Sequence, residues 1–317
     1  MIRALPASMG YRPALDGLRG VAVLLVIASH AGLPGFGFAG QVGVTMFFVL
    51  SGFLITALLL EEHEREGRIS LPAFYWRRAL RLLPALIIVI VCVGIVSRDW
   101  AAPLWTMSYV GNWARVVGAD LGPLNHTWSL AIEEQFYILW PVALIALQPG
   151  VRTLLVAAGL SAFLRIAIGD EARVFLGTDT RADALLIGCA LAMSPWRRVQ
   201  GWTAVGAMGG LVVLGLIPSY TWLTLAAPLT AVLILYGLHG SRLLSLRPLR
   251  WTGRVSYGLY LWHFPLLLVL PWWLAIPATF AVATASFYGV EHWFLQLKRP
   301  RSAGTRTMTG AQAALTR

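Results

Sequence analysis

Arg19-Gly-Val-Ala-Val-Leu-Leu-Val-Ile-Ala-Ser-His30 is an apolar run that begins on an arginine and ends on a histidine. Eleven residues separate the two ionisable side chains. At about 3.6 residues and 5.4 Å per turn they fall on one helical face, about 16 Å apart along the axis. Between them only Ser29 is polar. An ionisable group within a membrane helix is costly to keep, so it marks a functional site by default. The alternative is a buried histidine bonded to a carbonyl of a neighbouring helix.

Composition carries the same message across the whole chain. Of 317 residues, 58% are hydrophobic and 12% charged, with a mean hydropathy of +0.70. Soluble domains carry about 25% charged residues, so the composition describes an integral membrane protein embedded in a lipid bilayer. The net charge of +11 invites a nucleic-acid partner. However, 24 of the 25 basic residues are Arg, set in short clusters between apolar runs, a pattern of membrane topology that argues for no nucleic acid. Cys92 and Cys189 lie far apart in apolar segments, which gives neither a disulfide framework nor metal-ligand spacing; no metal is expected. Arg3, Arg12 and Arg19 before the first apolar run superficially resemble a signal peptide. Because further spans follow, the run reads as a retained first helix.

The fold class expected is all-α, a polytopic membrane helix bundle of about ten transmembrane helices. The apolar runs lie at about 15–33, 40–60, 82–97, 126–147, 152–169, 183–195, 201–217, 222–240, 254–271 and 273–291. The sixth is short, as a tilted or broken helix would be. Residues 98–125 hold Trp100, Trp105, Tyr109 and Trp113, which suits a loop or half-helix at the headgroup level. With the N-terminus inside, 20 of the 25 basic residues fall on the inner side, so both termini are expected in the cytoplasm. Residues 1–297 then form one membrane domain and 298–317 a polar, disordered cytoplasmic tail. No inverted repeat of the transporter kind is visible.

Four further polar constellations interrupt these runs. Arg77, Arg78 and Arg81 precede Pro84 at the start of the third run, with Arg78 and Arg81 three apart and hence neighbours on one helix face. Paired guanidinium forks suit phosphate; the alternative is an anchor for anionic lipid. Asn125-His126-Thr-Trp128-Ser129-Leu-Ala-Ile-Glu133-Glu134-Gln135 places two adjacent carboxylates in the outer half of the fourth run. In low dielectric such a pair furnishes a group able to give or take a proton near neutral pH. His126 and Glu133, seven apart, share nearly one face, so that one can orient the other. An ion pair of a glutamate with Arg181 or Arg165 is the alternative. Arg181 and Asp183 open the sixth run, where they are positioned to close a charge network with Glu133 or Glu134. Finally, Ser256-Tyr257-Gly-Leu-Tyr260-Leu-Trp262-His263 occupies the ninth run, and Glu291 ends the tenth. Lone residues of that kind are more often packing groups than catalysts.

Taken together, the chain resembles the acyltransferase-3 family of multi-spanning membrane acyltransferases. The matching residues run in the family's order from about 11 to 291. They are Leu15-Asp16-Gly17-Leu18-Arg19-Gly20 with His30, Phe47-Phe48-Val49-Leu50-Ser51-Gly52-Phe53-Leu54-Ile55, Arg77-Arg78 with Arg81, Trp128-Ser129-Leu130 with Glu133-Glu134-Gln135-Phe136-Tyr137, Arg181-Ala182-Asp183, and Ser256-Tyr257 with Tyr260-Leu261-Trp262-His263. The resemblance implies transfer of an acyl group, often acetyl, from acyl-CoA to a hydroxyl of a carbohydrate, glycolipid or related acceptor, in a bacterial plasma membrane. It also implies roles: His30 as catalytic base, Arg19, Arg78 and Arg81 as donor-binding groups, and Glu134 rather than Glu133 as the partner of His30. His126, Ser129, Arg181 and Asp183 are expected to bind substrate or support the site. Some members carry an esterase-like domain after the membrane part, and here such an activity is expected from another protein.

The residues suit that chemistry on their own terms. Acyl transfer needs an acceptor deprotonated as it attacks, a stabilised oxyanion and a thiolate leaving group. An imidazole near neutral pKa fits the first task. Arginines at the cytoplasmic face and His30 deeper in the bundle match the phosphate and thioester ends of CoA. The competing class is a proton-coupled transporter or flippase of lipid-linked substrates, with His30 and Glu134 as coupling groups. A non-catalytic acyl-CoA-binding subunit is a third.

Overall fold

Backbone amides in a bilayer must be bonded within their own segment, and apolar runs of this kind therefore fold as helices. The structure, a computed structural model, describes residues 9–297. Arg3 and the expected tail 298–317 lie outside the described residues. Among those described, the chain is helix and connecting turn without a strand, as the all-α expectation has it.

Three long helices come first: α1 (Pro13–His30), α2 (Ala39–Glu66) and α3 (Leu71–Ser97). Pro13 presets the first turn of α1, and Ser70 caps α3 by accepting a hydrogen bond from the Ala73 amide. Two short helices, α4 (Ala101–Met107) and α5 (Gly111–Val116), and a 3₁₀ turn (Gly122–Thr127) fill the tryptophan-rich segment, in keeping with its interfacial composition. Then follow α6 (Trp128–Leu147), α7 (Val151–Ala167), α8 (Glu171–Leu176), α9 (Thr178–Ala192), α10 (Gly201–Leu216), α11 (Leu223–Leu238), α12 (Arg247–Arg254), α13 (Ser256–Val269), α14 (Trp272–Ser286) and, after a π turn (Phe287–Glu291), α15 (His292–Gln296).

A helix coincides with each of the ten apolar runs, but their lengths divide them. Among the described residues, five helical segments are long and apolar enough to cross a membrane: Pro13–His30, Ala39–Glu66, Leu71–Ser97, Gly122–Leu147 and Trp272–Gln296. The other five runs fold as α7, α9, α10, α11 and α13, of 17, 15, 16, 16 and 14 residues. At about 1.5 Å per residue each falls short of the roughly 30 Å of a bilayer core.

The helices pack closely where glycine removes the side chain. A Cβ on Gly52 of α2 would lie 2.0 Å from the Leu185 carbonyl of α9, and one on Gly188 of α9 would lie 2.2 Å from the Val49 carbonyl of α2. The two backbones therefore touch through reciprocal glycines, a contact any larger residue would prise apart. Around this seam Leu18, Met46, Phe48, Phe53, Leu185 and Ile234 are buried. The outward face is apolar too: Val96, Val156 and Val205 are 81%, 72% and 73% exposed, an arrangement suited to lipid rather than water.

Candidate active site

Five helices, α1, α2, α3, α6 and α13, enclose a cavity of about 260 Å³. Its polar wall comprises Asp16 and Arg19 from α1, Ser51 from α2, Arg78 and Arg81 from α3, Ser129 and Glu133 from α6, and Ser256, Tyr257 and Tyr260 from α13. Val44, Phe47, Phe48, Leu50, Leu54 and Ile55 form the apolar side. Three arginines thus converge from two helices on one space, and each keeps a different share of free donors. Arg19 Nη2 donates to Ser256 Oγ at 3.2 Å. Arg81 is exposed toward the cavity and makes no hydrogen bond or ion pair among the described residues. Arg78 is engaged: Nη2 donates to Glu134 Oε1 at 3.0 Å, and its guanidinium carbon lies 3.1 Å over the Tyr137 ring. Of the expected Arg78–Arg81 pair, Arg78 is thus tied to Glu134, and the freer donors on this wall are those of Arg81 and Arg19.

The two glutamates part company. Glu134 is buried and serves as the counter-ion of Arg78. Glu133 faces the cavity and accepts a hydrogen bond from Ser51 Oγ at 2.8 Å. The expected pairings of one with His30 and the other with Arg181 are not formed. Arg181 instead donates to Thr45 Oγ1 at 3.2 Å between the rings of Phe48 and Trp128. Asp183 pairs with Arg165, which also donates to the Thr180 carbonyl and to Thr224 Oγ1. This ion pair ties α7 to α9 and stands apart from the cavity. Residues two apart, as Arg181 and Asp183 are, point to different sides of a helix, which is why they take separate partners.

His30 is the last residue of α1, not an interior one, and it is exposed. It does not line the arginine cavity. Its neighbours are imidazoles: His30 Nδ1 lies 3.1 Å from His263 Nε2, and the two ring centres are 5.1 Å apart. His126, in the 3₁₀ turn before α6, sits edge-on to His263 at 5.1 Å, with Phe264 against both His30 and His126. His126 therefore belongs with the histidines and not with Glu133, because the 3₁₀ turn breaks the helical spacing that the sequence suggested. Both of its ring nitrogens are buried, and among the described residues the main-chain groups they face are those of Tyr260 and Leu261.

Tyr260 stands between the two regions. It lines the cavity, its ring is 5.5 Å from that of His263, and its hydroxyl donates to the His126 carbonyl at 2.6 Å and meets Ser129 Oγ at 2.5 Å.

This geometry can be set beside known proteins. A family model described as an acyltransferase domain, Acyl_transf_3, matches residues 12–290. The chain belongs to the acyltransferase-3 family. It is 34% identical over 354 residues to the peptidoglycan O-acetyltransferase OatA of Listeria monocytogenes, an alignment covering 92% of this chain and 57% of that protein. It is also 34% identical over 310 residues to the O-acetyltransferase OatA of Staphylococcus aureus, covering 81% of this chain and 51% of the relative. The chain thus spans about half the length of the curated relatives it matches. No solved structure matches. Family membership and the apolar helices together make this acyltransferase-family chain a multi-pass membrane protein.

Four residues at the site of this acyltransferase-family chain were given no role by spacing alone: Ser51, Tyr257, Tyr260 and His263. Tyr260 and His263 are three apart on α13, a spacing that does place them on one face. Reading His263 as a packing group missed its ring contact with His30. Ser51, in a long apolar run, gave no such signal, and its bond to Glu133 depends on how α2 meets α6. Glu291 is buried in the π turn and accepts from Ser286 Oγ at 3.3 Å.

Proposed function

We propose that the chain is the membrane part of an O-acyltransferase. It would move an acyl group, acetyl in the first instance, from cytoplasmic acyl-CoA to a hydroxyl of a carbohydrate or glycolipid at the outer side of a bacterial plasma membrane. The observation that carries this reading is the membrane-embedded cavity on which Arg19, Arg78 and Arg81 converge, in a chain of the acyltransferase-3 family. The names of the relatives, both O-acetyltransferases, support the reaction class, and one names peptidoglycan as the acceptor. Ten crossings with both termini in the cytoplasm complete the proposal: the five shorter helices would cross where the bilayer thins around them, and the excess of basic residues on the inner side supports the orientation.

In this mechanism Arg81 and Arg19 hold the donor phosphates through charge-assisted hydrogen bonds. Arg78 stays paired with Glu134 and fixes the wall of the cavity. The pantetheine arm runs toward Ser129 and Tyr260, and transfer requires that this wall open toward His30. His30 accepts the proton of the acceptor hydroxyl as its oxygen bonds to the thioester carbonyl carbon. The C–S bond then breaks, the sulfur leaves with the electron pair as thiolate, and the proton on His30 neutralises it. Glu133 and Ser129 line the path, while Arg181 and Asp183 hold α9 in place behind it.

The full chain in nanodiscs with acetyl-CoA tests this directly. Thiol release should rise on adding a carbohydrate acceptor, with the acyl group recovered on the glycan by mass spectrometry. A chain that releases no thiol from any acyl-CoA and yields no acylated glycan would sink the proposal.

A further inference from the structure

His263 Nδ1 faces two main-chain carbonyls, Tyr260 O at 2.7 Å and Leu259 O at 3.2 Å. A carbonyl can only accept, so Nδ1 must carry a hydrogen. The ring is fully buried. Its partners among the described residues are those carbonyls, the His30 imidazole and aromatic rings, with no carboxylate among them. An imidazolium here would be a buried charge without a counter-ion, so the ring is neutral and Nε2 is bare. That bare nitrogen lies 3.1 Å from Nδ1 of His30. Two lone pairs would repel at this distance, so His30 Nδ1 is the donor. A neutral His30 protonated at Nδ1 has its lone pair on Nε2, the nitrogen not engaged by His263.

We propose that His263 is a positioning residue that holds His30 as the Nδ1–H tautomer and leaves Nε2 free to accept the proton of the attacking hydroxyl. This inference rests on the reading of His30 as base. An unconstrained histidine side chain prefers the opposite tautomer, in which Nε2 carries the hydrogen and cannot act as a base. α1 ends at His30, and within its own helix the ring meets the Val26 carbonyl of the preceding turn. The hold from outside the helix comes from α13: His263 bonds one edge, and Phe264 meets the ring at 5.1 Å and 76°. The bonds that His263 donates to its own helix fix the orientation of its ring, since a flipped ring would set a carbon against the Tyr260 carbonyl.

The test uses the full chain labelled with ¹⁵N-histidine in detergent micelles. Its six histidines are assigned by single substitutions, His30→Gln among them. In the parent protein His30 should show a protonated Nδ1 and a bare Nε2. Asn at position 263 carries its amide near the old Nδ1 and leaves nothing at Nε2. His263→Asn should therefore move His30 toward the Nε2–H tautomer and lower kcat by about ten- to hundredfold with KM for acyl-CoA unchanged. Gln extends far enough to put a carbonyl oxygen at the Nε2 position, and His263→Gln should restore both the tautomer and most of kcat. A merely structural role would move neither the tautomer nor the difference between Asn and Gln. Should His263→Asn fail to fold, the parent spectrum and the Gln variant still decide. An Nε2–H tautomer at His30 in the parent, or a tautomer indifferent to His263→Asn, overturns the inference. Undiminished transfer by His30→Ala, with the tautomer as expected, would overturn the catalytic reading of His30 and leave the tautomer assignment standing.

Discussion

The arginine cavity and the histidine cluster are both polar inclusions in an apolar bundle, and they satisfy their polar groups by opposite means. The cavity gathers three guanidinium groups around Glu133, Glu134 and Asp16 and keeps them beside an open space. The cluster gathers three imidazoles, buries two of them, and bonds the central one to main-chain carbonyls. Charge inside a low-dielectric bundle demands a counter-ion or water, whereas a neutral ring needs only an acceptor for its N–H. On the function proposed above, the first region takes the anionic end of the donor and the second holds the base in one protonation geometry. Tyr260 and Ser129 form the wall between them.

The comparison breaks most visibly at His30. Replacement by Ala should lower transfer by about 10² to 10⁴ while the protein still folds. Steady-state rates in nanodiscs, with thermal unfolding as control, read the outcome. A comparable loss from folding alone would remove the distinction between the regions.

The charged region should answer through stability. Glu134→Gln leaves Arg78 stacked on Tyr137 without its counter-ion, a loss of about 3 kcal/mol, the low end for breaking a buried pair because the cavity admits water. Adding Arg78→Met should recover much of it. Unfolding midpoints of the two variants settle the point: a double variant no more stable than Glu134→Gln would mean that Arg78 is held by something other than this ion pair.

These two effects also mark how far the sequence is legible. Arg19, Arg78, Arg81 and both glutamates stand out because a charge in an apolar run is conspicuous wherever it lies. The helical face shared by Arg19 and His30 also follows from spacing alone. Partners across helices do not. Glu134 meets Arg78, fifty-six residues away, because of how α3 crosses α6, and Asp183 meets Arg165 on α7 rather than a glutamate. The helix count shows the same limit. Apolar runs locate α7, α9, α10, α11 and α13, but their lengths are set where Gly, Pro and polar turns interrupt them, which hydropathy averages away.

Within the cavity, Arg81 and Arg78 should separate. Arg81→Ala removes unengaged donors and should raise KM for acyl-CoA about ten- to hundredfold, equivalent to about 1.5–3 kcal/mol, with Lys rescuing only in part. Arg78→Lys keeps a charge for Glu134 and should leave KM within about threefold of the parent, because its fork serves the protein and not the donor. Calorimetric titration of CoA against both variants checks this. Equal weakening would return Arg78 to the donor site and erase the division between structural and ligand-binding charge.

The smallest effect tests the wall itself. The Tyr260 hydroxyl has one hydrogen, which goes to the His126 carbonyl at 2.6 Å. Ser129 must therefore be the donor in the 2.5 Å contact between the two hydroxyls. Tyr260→Phe deprives both the carbonyl and Ser129 of a partner, and should cost about 1 kcal/mol. Ser129→Ala removes a donor while Tyr260 keeps its bond to His126, so its cost should be about half as large. Because one hydroxyl works through the other, the double variant should be less destabilised than the two single losses added together, by about 0.5 kcal/mol. Unfolding midpoints in one detergent give the cycle. Strict additivity would mean that the hydroxyls act independently, and the cavity and the histidine cluster would then share a wall without sharing a hydrogen-bond chain.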